Sequence, residues 1–128
     1  MKSFRRLKIW ERGMEIVKKT YSLSKQLSEE ERFGLVSQIT RAAVSIPSNI
    51  AEGSSRTSDN EKKRLAEIAL GSAFELETQL LIIRDLELAN RADADKLIEK
   101  LHEVQRMINS FITTLKRTAK SQQPIAYN

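Results

Sequence analysis

Few side chains in this sequence are of types that do chemistry. His102 is the single histidine, and it follows Glu99 at the Glu-x-x-His spacing that di-iron helical bundles use. Such a site needs two of these motifs and two further carboxylates in one core. This chain has one motif, and its Glu99 and His102 flank the apolar Leu101 on what reads as a solvated face. A serine–histidine–acid arrangement finds no support around one surface-type histidine. Neither a Walker sequence nor Gly-x-Gly-x-x-Gly occurs. The lack of cysteine removes thiol nucleophiles, thiolate zinc sites and disulfides. Ser45 and Ser48 read as helix-packing or capping residues rather than nucleophiles. The expectation is a protein that works by binding, with no catalytic residue, metal or cofactor.

What remains is charge. The chain of 128 residues carries 22 Lys and Arg against 17 Asp and Glu, a net +5. Arg5, Arg6, Lys8, Arg56, Lys62, Lys63 and Arg64 are the candidate contacts to a phosphate backbone, a partner bound with salt-sensitive and largely sequence-independent affinity. Arg41 could reach a partner subunit or a phosphate, or pair with Glu52 or another carboxylate. Trp10 lies on an apolar stripe and reads as core. Phe4, beside Arg5 and Arg6, stays open between base stacking and packing.

The elements that must position these residues are helices. Four glycines and two prolines are too few for the turns that strands demand. From about Arg5 to Leu27, Leu7, Trp10, Met14, Val17 and Tyr21 recur at helical spacing, with Ile9, Ile16, Leu23 and Leu27 widening the face and Gly13 weakening it slightly. Ser28 with Glu31 reads as a capping box opening a second helix, Glu29 to Glu52. Its apolar side is Val36, Ile39, Ala43, Ile46 and Ile50. Pro47 predicts a kink or a lost hydrogen bond, whose freed groups Asn49 or Ser45 could satisfy. Gly53 ends it. Ser58 with Glu61 is a second capping box, opening a third helix from Asp59 to Leu88. Its stripe is Leu65, Ile68, Ala69, Ser72, Leu76, Leu80, Ile83 and then Leu86 or Glu87. The small residues Ala66, Ala69, Gly71, Ser72 and Ala73 let a neighbouring helix approach closely. Gly71 and Ser72, with Arg41, are the candidate contacts between subunits. Asn90 marks the next break and Asp93 the cap of a fourth helix, Ala94 to Thr118, whose face is Leu97, Leu101, Val104, Ile108, Phe111 and Leu115. Residues 1–120 then form one domain and 121–128 a loose tail.

Short connections between long helices make neighbours antiparallel. The fold expected is all-α, an up-down-up-down antiparallel four-helix bundle. That topology gives the charge a direction. The first helix's start, the second's end, the third's start and the fourth's end meet at one pole, which adds Lys116, Arg117 and Lys120 to the seven candidates. Glu29, Glu30, Glu31, Asp93 and Asp95 gather at the other, partly offset by Arg32 and Arg91. Residues 1–25 carry a net +6, residues 26–90 a net −4 and residues 91–128 a net +3. No run is apolar enough to span a membrane and no signal segment follows the basic N-terminus, so the expected compartment is the cytoplasm.

The second helix is also specific in its letters. The run from Gly34 through Arg41, Ala42, Ala43, Val44, Ser45, Ile46, Pro47, Ser48, Asn49, Ile50, Ala51 and Glu52 to Gly53 resembles the signature of the four-helix-bundle proteins encoded in intervening sequences of bacterial 23S ribosomal RNA genes. The likeness continues through Arg56 and Ala69–Glu77 and takes in Leu7–Trp10 and Tyr21. That family is in turn similar to the accessory variability determinant of diversity-generating retroelements. The resemblance implies a homopentameric barrel of bundles with basic, nucleic-acid-binding surfaces. In the retroelement relatives it also implies partnership with a reverse transcriptase. It carries over no catalytic residue. A protein-interaction scaffold or accessory subunit, with incidental charge, is the alternative reading.

Overall fold

The computed structural model describes the backbone of residues 3–122 and the side chains of residues 3–118. A 3-10 turn, Phe4–Arg6, leads into four helices: α1 (Lys8–Ser24), α2 (Ser37–Ser54), α3 (Asp59–Asp85) and α4 (Arg91–Gln122). α1 packs on α2, α2 on α3 and α3 on α4, and α4 closes the ring against α1. Side-chain pairs fix the directions. Arg41 meets Glu75 while Gln38 meets Gln79, and Arg12 meets Glu103 while Gln26 meets Asp93. Rising numbers on one helix face falling numbers on its neighbour, so the fold is the antiparallel four-helix bundle. Ile16, Ile39, Ile46, Leu76, Leu80, Ile83, Leu101 and Ile108 are fully buried at its centre. Each contributes about 1.5–3 kcal/mol.

The buried edge of α1 differs from the one expected. Ile9, Gly13, Ile16, Thr20 and Leu23 face the core, followed by Leu27. Leu7, Trp10, Met14 and Val17 lie half-buried alongside, and Tyr21 is 48% exposed. Gly13 selects the edge. A Cβ there would stand 3.3 Å from the Cβ of Pro47, so any larger residue requires Pro47 to give by a few tenths of an ångström.

Two expected helix starts also move. Ser28 makes no side-chain cap; its carbonyl accepts from Glu31 N at 2.9 Å, closing a 3-10 turn over Glu29–Glu31. A π-helical turn, Arg32–Val36, follows, in which Gly34 leaves helical geometry, and α2 begins only at Ser37. α2 then runs unbroken through Pro47, which is buried against Gly13. The amide of Asn49 donates to the carbonyl and hydroxyl of Ser45. It therefore does not reach the carbonyl of Ala43, whose donor proline lacks. Ser58 caps α3 as expected, its Oγ accepting from Glu61 N at 3.1 Å. In α3 the core takes Ala66, Ala69, Ala73, Leu76, Leu80 and Ile83, whereas Ile68 and Leu86 are 44% and 64% exposed. α3 stops at Asp85, where Glu87 enters the left-handed region (φ 56°) and Leu88 N donates to Ile83 O at 2.9 Å. Asn90 rather than Asp93 caps α4: its Oδ1 accepts from Asp93 N at 3.0 Å. α4 extends to Gln122, past the expected end at Thr118; residues 123–128 of the expected tail lie outside the described residues.

Candidate nucleic-acid interface

The four segments expected at the basic pole do meet. A cleft of about 250 Å³ is bordered by Leu7 just before α1, Ile50 and Gly53 of α2, Lys62 and Ala66 of α3, and Phe111 of α4. Arg5, Arg6, Lys8, Arg64, Lys116 and Arg117 are exposed on the same end, and Lys62 and Lys63 are half-buried. The side chain of Lys120 lies outside the described residues. Among the described residues, Arg5, Arg6, Lys8, Lys62, Lys63 and Arg64 form no ion pair. Cations left without carboxylate partners keep their full field for an external anion. Arg56 differs, because Glu52 holds it at 2.8 Å one helical turn away and a phosphate must compete for it. Glu11, Asp59 and Glu61 temper the pole without neutralising it.

Phe4 packs edge-on against Trp10, ring centres 5.4 Å apart at 69°, and Trp10 leans on the core. Both aromatic rings thus serve the start of α1. Arg41 pairs with Glu75 at 3.2 Å across the α2–α3 seam, with 65% of its side chain still exposed. Ser72 lies on the same seam, its hydroxyl 2.7 Å from that of Ser45. Gly71 faces outward, with nothing within 4 Å of where a Cβ would sit. Arg41 and Gly71 therefore share an outer face, while the Ser72 hydroxyl is engaged inside the chain.

His102 bonds Glu77 Oε2 at 3.0 Å, and Gln105 donates to Glu77 Oε1 at 2.8 Å. The His102 bond, then the Gln105 bond, holds the Glu77 carboxyl below its usual value against the opposing effect of partial burial. Glu99 takes no part in this contact. Among the described residues no group of three or more histidine and acidic side chains could hold a metal, and no helix is long and apolar enough to cross a membrane. A larger groove of about 530 Å³ follows the α1–α4 seam. It mixes Lys19, Lys96 and Lys100 with Asp93, Glu99 and Glu103, so its field largely cancels.

The cleft itself had no signal in the sequence. By spacing, Leu7 and Phe111 belong to helix stripes and Ala66 to small-residue packing, and the cleft appears only where the helix ends come together.

No curated protein matches the chain. Among solved structures, a protein of unknown function from the S23 ribosomal protein family of Bacteroides thetaiotaomicron is similar. It shares 26% identity over 81% of this chain and 97% of that chain, with a TM-score of 0.76. Residues 5–110 match the family model described as 23S rRNA-intervening sequence protein. With the bundle and the family model in agreement, the chain belongs to the 23S rRNA-intervening sequence protein family.

Proposed function

We propose that the protein is a non-enzymatic, cytoplasmic nucleic-acid-binding bundle that works as a homo-oligomer, a pentamer by family resemblance. The observation that carries the reading is the convergence of Arg5, Arg6, Lys8, Lys62, Lys63 and Arg64 from separate segments on one pole without carboxylate partners. A phosphate backbone satisfies such a pole by releasing counterions, and it needs no catalytic group. The outer apolar side chains support self-association: Val44, Ile68, Phe74 and Ile82 remain 39%, 44%, 50% and 42% exposed. A mobility-shift titration with structured RNA and duplex DNA at about 50 mM salt tests the binding, since electrostatic affinity is greatest at low salt. Complexes should form and dissolve as salt rises; no complex with either probe refutes the reading. Light scattering tests the assembly, and a monomer refutes it.

A second reading, an accessory subunit or protein-interaction scaffold, draws on the opposite pole. There Phe33 is 89% exposed under Arg32, and Leu86 is 64% exposed. Loss of a co-purified protein on Phe33→Ser, with nucleic-acid binding absent throughout, is the result that favours it.

A further inference from the structure

We infer that the cleft at the basic pole receives one unstacked nucleobase, so that the protein takes single-stranded nucleic acid, or an unpaired loop or end, in preference to duplex. The inference rests on the nucleic-acid reading above and names the form of its ligand. The cleft's volume of about 250 Å³ accommodates a planar ring system. Its lining supplies apolar surface from Leu7, Ile50, Ala66 and the ring of Phe111. Lys62 can donate to the edge of a base, and the Asn49 and Ser54 side-chain oxygens can accept from it, their donors being held by Ser45 and Ala51. Lys62 is half-buried there and has no carboxylate partner among the described residues.

The wall and the charge are adjacent along the chain. Lys62 stands one helical turn before Ala66 on the same face of α3 and borders the cleft itself, while Leu7 follows the exposed Arg5 and Arg6. A ring seated among the apolar walls therefore leaves its sugar-phosphate beside Lys62 and within the field of Arg5 and Arg6. An uncharged apolar occupant gives those cations nothing to bind. A duplex keeps its bases stacked and offers a ring only at an unpairing cost of a few kcal/mol. A single strand offers both chemistries at once, as in other single-strand sites that combine a basic track with apolar or aromatic platforms.

The test compares three labelled probes: an oligoadenylate of about twelve nucleotides, a strand of equal length and charge made of abasic residues, and a duplex. At moderate salt the intact strand should bind about tenfold or more tightly than the abasic strand, the size of one base contact, and more tightly than the duplex. Ala66→Leu, which fills the cleft without changing charge, should lower affinity for the intact strand about tenfold and leave the abasic strand unaffected. Ser54→Leu serves the same purpose at the margin if Ala66→Leu fails to fold by circular dichroism, and the wild-type comparison needs neither. Equal affinity for intact and abasic strands overturns this inference while leaving backbone binding in place. No binding to any probe at about 50 mM salt overturns both.

Discussion

Thr20 is a polar residue on the buried edge of α1, 0% exposed, and its hydroxyl has no partner among the described residues. A buried hydroxyl without a hydrogen bond costs roughly 1–3 kcal/mol. Thr20→Val keeps the shape and removes the group, so it should raise stability by about 1 kcal/mol in a urea titration at unchanged m-value. Glu77 is the opposite case, a polar residue whose partners stabilise its charge. Its carboxyl titrates below the usual value in the fold because His102, then Gln105, bonds the carboxylate. A depressed folded value means that its contribution is present above the unfolded value, near 4.5, and is lost as pH falls through the folded one. Glu77→Gln should therefore remove part of the acid sensitivity of unfolding below about pH 4.5. Identical pH–stability slopes for variant and parent would exclude this. The contact was only half legible in the sequence. Gln105 stands three residues after His102 on one helical face, but Glu77 meets them only once α3 and α4 are packed.

Among elements, two copies of one motif behave differently. Ser58 and Ser28 each stand three residues before a glutamate, yet only Ser58 receives the amide hydrogen bond. Ser58→Ala should cost about 1 kcal/mol and Ser28→Ala a few tenths at most. Chemical denaturation of the two single variants separates them, and equal losses would show that the Ser28 segment closes on its side chain after all. The motif predicted both alike because it sees only local hydrogen bonding, whereas Gly34 interrupts the helix that Ser28 should have opened. Number, order and approximate span of the helices were legible from periodicity. The facing edge of α1 was not, because two apolar stripes share that helix and periodicity defines an apolar sector rather than its centre. Gly13 and Pro47 decide it, and they lie on different helices. Gly13→Val adds bulk where a Cβ alone already stands 3.3 Å from Pro47, and it should destabilise the bundle by about 1–3 kcal/mol despite removing a helix-interior glycine.

At the scale of the molecule, the basic pole was legible because it depends on topology alone. Antiparallel neighbours bring alternate helix ends together whatever their side chains do in detail. The pairing of Arg56 with Glu52 follows an i,i+4 spacing, whereas the cleft beneath the cations depends on rotamers and helix splay, which no spacing encodes. The pole leads to a quantitative expectation. Each cation that neutralises one phosphate contributes about 0.9 to the slope of log affinity against log salt on duplex, and about 0.7 on single strands. Replacing Arg5, Arg6, Lys63 or Arg64 singly with Gln should therefore lower the slope by about 0.7–0.9 and weaken binding uniformly across sequences. Arg56→Gln should give a smaller change, because Glu52 already offsets that charge at 2.8 Å. Arg32→Gln and Arg91→Gln lie at the acidic pole, where their partners are Glu29 and Asp95, and should leave the slope unaltered. These controls matter because all the variants lower the net charge by the same amount. If slope loss tracked net charge and not position, binding would be diffuse over the surface. A loss confined to the Arg5–Arg6 and Lys63–Arg64 variants would place the phosphate track across the ends of α1 and α3.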